Sequence, residues 1–157
     1  MIIPAEGRIE FHFKRLVDEA GERIHITLPH NAEAHIVHVL TLHMQDYELL
    51  SRTVAEEYLL GMRVVGRAAR RELCLRAGNF CLLFAGLFPE IIERRHVSPS
   101  YYVRMGRVSY DCAGVREPAH CKQFYTDLVQ AFVPMTRVLR EIKRMRDHVH
   151  TPELLFT

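Results

Sequence analysis

The chain is 157 residues long, enough for one domain with a sizeable core and too short for two. Its residues are 48% apolar and 25% charged, which fits a folded globular protein and excludes collagen-like, mucin-like and mostly disordered chains. The 21 Lys and Arg nearly balance the 19 Asp and Glu, for a formal charge of +2, and this argues against a nucleic-acid binder.

Glu6 and Arg8 interrupt any apolar run near the start, so the parts of a signal peptide are missing. The longest apolar stretch, Phe80 to Phe88, is far shorter than the roughly 20 residues a membrane helix needs. A cytoplasmic protein without membrane contact is the expectation.

Residues 1–30 read as an arm of unsettled packing. Phe11, Phe13, Leu16 and Val17 mix two periods, and Ile24, Ile26 and Leu28 alternate briefly with polar residues. An irregular segment with one strand-like piece, ended by Pro29, is predicted there. A helical domain follows over 31–150. Asn31 is placed to cap a helix from Ala32 to about Gln45, whose apolar stripe is Ile36, Val37, Leu40, Met44 and Tyr47. Tyr47 to Leu60 reads as a second, shorter piece stopped by Gly61.

From Val64 the pattern is helical again through Leu73, Leu75, Phe80, Leu83, Phe84 and Leu87, apolar nearly all round. It is therefore the central buried helix. Gly78 either lies within it, where another backbone comes close, or marks a turn dividing it. Pro89 suits the first turn of a short helix from Glu90 to about Arg95. Ser98-Pro99 gives an N-cap and a first helical residue for the next one, with Tyr101, Met105, Val108 and Cys112 as its stripe and Gly114 as its stop.

Phe124, Leu128, Phe132, Met135, Leu139 and Ile142 then fall within about 80° of one another on a helical wheel. Pro134 should kink or break that helix. Residues 151–157 form a tail. The sum is an all-α single domain of six or seven helices around a central apolar one.

The four cysteines, Cys74, Cys81, Cys112 and Cys121, form no CxxC pair and read as buried free thiols. Cys121 follows His120, but adjacent residues on a helix point about 100° apart, so a thiol–imidazole couple is not implied. GxSxG motifs, Gly-rich phosphate loops and paired catalytic carboxylates are absent from the sequence.

Ten histidines are present, five of them between His25 and His43. His35 and His38 are three apart on a helix face read as opposite the apolar stripe, a spacing that lets two imidazoles reach one metal. Glu90, Glu93 and His96 form a second candidate. Glu93-x-x-His96 is the pair that ferritin-like di-iron bundles set on their ligand helices, although only one such pair is present here. A salt-bridged surface helix is the plain alternative. The cofactor stays open, with a divalent transition metal as the candidate. Tyr101, Tyr102, Arg104 and Tyr110 lie on one helix and suit the wall of a pocket for a small amphipathic ligand, or a subunit interface. Two runs of arginine, Arg63 to Arg76 and Arg137 to Arg146, read as solvated faces.

The block RELCLRAGNFCLLFAGLFPEIIERR, followed by VSPSYYVRMGRVSYDCAG, presents Gly78, Asn79 and Phe80, then Gly86 to Pro89, then Tyr101, Tyr102, Gly106 and Tyr110. In these residues the stretch from Glu72 to Gly114 resembles a family of small bacterial all-helical proteins without an established function. Asn79 stands where an acidic residue is usual in that family. The resemblance implies a bacterial cytosolic protein and supplies no reaction and no catalytic residue.

Two main classes of function follow, with a nucleic-acid-associated accessory protein using the two arginine faces as a weaker third. The first is a non-enzymatic helical module that self-associates, as a homodimer, or docks a protein partner. The alternative is a metal- or small-ligand-binding protein, a redox or hydrolytic enzyme included, using the His and Glu clusters.

Overall fold

The computed structural model describes residues 5–43, 67–90, 98–115 and 117–149. Among them are six α-helices and no strand: α1 (Ala5–Ile24), α2 (His30–His43), α3 (Arg67–Leu87), α4 (Pro99–Gly114), α5 (Ala119–Gln130) and α6 (Phe132–Val149). The all-α class is as the sequence implies. The readings for Tyr47 to Leu60, Gly61, the residues 91–97 and the tail lie outside the described residues.

The arm expected over residues 9–28 is instead mostly helix. The two competing periods came from Phe11, which is 64% exposed and takes no part in the core. With Phe11 set aside, Ile9, Phe13, Leu16, Val17, Ala20 and Ile24 follow one helical stripe, and α1 packs with it on α6 and α2. On the outer side Lys14 pairs with Asp18 and Arg23 with Glu19, each at i, i+4 spacing. The helix ends in a reversal at His25, whose φ is 58°. The Ile26 N–H donates to the Gly21 carbonyl at 3.0 Å and the His25 N–H to that of Glu22 at 3.4 Å, the paired bonds of a Schellman turn.

Asn31 does not cap α2. The helix starts at His30, two residues before the predicted Ala32, with the Glu33 N–H donating to the Pro29 carbonyl at 3.0 Å. Asn31 Nδ2 donates instead to Asp127 Oδ2 at 2.8 Å, tying α2 to α5.

α3 runs unbroken through Gly78, and Ala77 to Phe88 are buried without interruption. It packs most extensively on α4, and α6 lies against another side of it. The cap predicted for α4 is present: Ser98 Oγ accepts from the Tyr101 N–H at 3.3 Å, with Pro99 in the first turn. The stripe predicted for α4 is rotated, however. Val108 is 63% exposed, Tyr101, Met105 and Cys112 are half-buried, and the face in the core is Tyr102, Gly106, Ser109, Tyr110 and Ala113. Small residues set this face because they let α3 and α6 come close. A Cβ built on Gly106 would stand 2.3 Å from Phe132 Cζ.

The break expected near Pro134 falls at Ala131, so Pro134 sits in the first turn of α6, where its missing N–H costs nothing. Leu128, Phe132, Met135, Leu139 and Ile142 are buried as their spacing implies, with Phe124 half-buried beside them. Among the described residues no helix is long and apolar enough to cross a membrane.

Candidate functional site

Three polar side chains meet where α2, α3 and α4 converge. His35 comes from α2, Asn79 from α3 and Tyr110 from α4, and all three are buried, with Tyr110 fully enclosed. The Tyr110 hydroxyl lies 2.8 Å from Asn79 Oδ1. His35 Nε2 lies 2.9 Å from the same oxygen and 3.2 Å from the Tyr110 hydroxyl.

The donor inventory assigns the protons. Burial, with Cys81 nearby, holds the Tyr110 phenol well above its usual range, so it keeps its proton and donates to Asn79. Asn79 Oδ1 has a second lone pair, and the Tyr110 oxygen is left only as an acceptor. His35 Nε2 must therefore carry a proton, which it donates to Asn79. One amide oxygen thus satisfies two donors from two other helices.

The surrounding packing fixes this geometry. The His35 ring meets Tyr110 edge to face, centroids 5.4 Å apart, and Phe124 in the same way at 5.7 Å. Gly78 gives Tyr110 its place: a Cβ there would lie 2.5 Å from Tyr110 Cε1. The approach that requires glycine is thus by a ring, not by another backbone.

His35 belongs to the core, at 5% exposed, and not to the polar face assigned to it from sequence. Its signal was the stripe Ala32, His35, Ile36 and Val39, one face round from the stripe that includes Met44 and Tyr47. His38, three residues on, is exposed, so the two imidazoles do not converge. Among the described residues no group of three His, Cys, Asp or Glu side chains stands ready to hold a metal. Glu90 is engaged by Lys143 at 2.8 Å, while Glu93 and His96 lie outside the described residues. Of the tyrosine–arginine set, Tyr102 is buried against Phe84, Tyr101 is half-buried against Tyr102, and Arg104 is exposed. Tyr110 is held in the buried network, so the four do not share one wall.

Surface relief is found on α1. A depression of about 560 Å³ lies by the turn after α1, against Gly21, His25 and Ile26. A second, of about 410 Å³, lies between α1 and α2, with Phe11, Ala34 and Val37 as its apolar part and Glu10, Lys14 and Glu33 around them. Lys14 crosses from α1 to Glu33 on α2 at 2.9 Å, and that bond raises the lysine's pKa. Phe11, in the wall of this recess, is the most exposed of the large apolar side chains described. Neither feature was singled out from the sequence, because a lone exposed phenylalanine reads there as part of a core stripe.

The chain matches no protein-family profile, no curated protein and no solved structure.

Proposed function

We propose that this chain is a non-enzymatic helical module that associates through the α1–α2 face, with a second copy of itself as the partner. The observation that carries the reading is Phe11, a ring 64% exposed in the wall of a recess between α1 and α2. A twofold interface brings one patch against its own image, so the patch must complement itself. A projecting ring in the wall of a recess meets that condition, since each Phe11 packs on the other copy's Phe11, Ala34 and Val37. The charges meet it too. The rim carries both signs, Glu10 and Glu33 with Lys14, so two copies do not meet there as surfaces of a single charge. An aromatic anchor in an apolar recess with a polar rim is the usual anatomy of such contacts.

The buried network supports the same reading from inside. His35, Asn79 and Tyr110 hydrogen-bond one another and tie α2 to α3 and α4, which gives the docking face a rigid base. A bacterial cytoplasmic setting, which the resemblance implies, belongs to this proposal.

Sedimentation velocity of the full, untagged chain across a wide concentration range tests it. The expected result is a reversible monomer–dimer equilibrium. A monomer at every concentration contradicts it.

A further inference from the structure

Two of the four cysteines face each other across the principal helix pair. Cys74, in the first half of α3, is fully buried, and Cys112, near the end of α4, is half-buried. Their sulfur atoms lie 2.8 Å apart, closer than two thiols come through packing alone. The same edge is tied by an ion pair between Arg71 on α3 and Glu117 just beyond α4, so both backbones are anchored beside the pair. Cys81 lies on the same face of α3 two turns further along, against the Gly106 site, and Cys121 belongs to α5.

We propose that Cys74 and Cys112 are a redox-active pair, oxidised by a hydroperoxide to an intramolecular disulfide that joins α3 to α4. The asymmetry of the two sites assigns the order of events. Burial pushes the Cys74 thiol up to about 12, so it stays protonated and does not begin the reaction. Cys112 has the exposed edge and does. Its sulfur attacks the peroxide, the O–O bond breaks, and a sulfenic acid and one molecule of water (or alcohol) result. The Cys74 sulfur then attacks the Cys112 sulfur and the S–O bond breaks. The departing hydroxide takes the Cys74 proton and leaves as water. Together the thiols lose two electrons and two protons, and the peroxide oxygens gain them. A small-molecule thiol reverses the change by exchange. In a reducing compartment such a bond is transient, which suits a sensor and not a structural staple.

The test treats the full chain with hydrogen peroxide, removes the oxidant, blocks remaining thiols with iodoacetamide in denaturant, and maps the peptides by mass spectrometry. The expected result is a loss of two hydrogens per chain, a Cys74–Cys112 linked peptide, alkylation at Cys81 and Cys121, and full reversal by dithiothreitol. In Cys74→Ser the loss of two hydrogens disappears and Cys112 becomes reactive to dimedone, the trap for sulfenic acid. Cys121→Ser leaves the linkage intact. Overoxidation of Cys112 with Cys74 still a thiol, or a linkage through any other pair, overturns the proposal.

Discussion

Asn79 concentrates a structural role in one oxygen atom. It accepts from the Tyr110 hydroxyl and from His35, so removing it leaves donors on α2 and α4 competing for what remains. Asn79→Ala should lower the free energy of unfolding by about 1–3 kcal/mol, as for buried donors deprived of an acceptor. Tyr110→Phe removes one donor together with its bond, and should cost about 1 kcal/mol. Urea denaturation of the two variants checks the order. Cys81 gives a second prediction at this scale, because burial pushes its thiol up to about 12 from an ordinary 9.0. The folded state then keeps a proton that the unfolded state gives up first, so stability is intact below about pH 9 and falls as pH rises towards 12. Between about pH 8 and about pH 10, the wild-type chain should lose about 1.4 kcal/mol more than Cys81→Ala. Equal pH slopes for the two proteins contradict this assignment. Sequence spacing could find the apolar members of this core but not His35 or Asn79. A buried polar residue is recognisable only once the partner that satisfies it is known, and here the partners lie on other helices.

The helices were legible where large apolar residues carry the stripe and illegible where small ones do. α6 is the clear case, since Phe132, Met135, Leu139 and Ile142 are all buried as their spacing implies. On α4 the reading by hydrophobicity followed Tyr101, Met105 and Val108. The helix turns its small residues inward instead, because Gly106 lets the Phe132 ring lie directly on it. The same blindness hid α1, where exposed Phe11 disguised a regular stripe. Helix propensity alone makes Gly106→Ala stabilising by about 1 kcal/mol. The packing reverses that sign, since the added Cβ would fall 2.3 Å from Phe132 Cζ and 3.0 Å from Cys81 Cβ. A net loss of about 1–3 kcal/mol is expected in thermal or urea melts, and trimming the ring with Phe132→Leu in the same chain should weaken the clash. A more stable Gly106→Ala protein would show that the α4 face has been misassigned.

At the scale of the whole molecule, the all-α class followed from periodicity, but the surface that carries the proposed function did not. A docking face is a relation between elements: Phe11 on α1 means little until Ala34 and Val37 on α2 are set beside it. In the proposed reading the buried network and the recess divide the labour, with His35, Asn79 and Tyr110 fixing α2 against the core and the outward sides of α1 and α2 forming the docking face. The central claim is that this face, and no other, drives association. The most direct measurement is sedimentation velocity on wild type, Phe11→Glu and Val108→Glu, with circular dichroism to confirm equal helicity. Val108 is a matched control, 63% exposed on α4 and outside the recess. Phe11→Glu should weaken dimerisation at least tenfold, the loss of an anchor worth more than about 1.4 kcal/mol, while Val108→Glu leaves it unchanged. Dimerisation that survives Phe11→Glu, or is lost equally in Val108→Glu, contradicts the account.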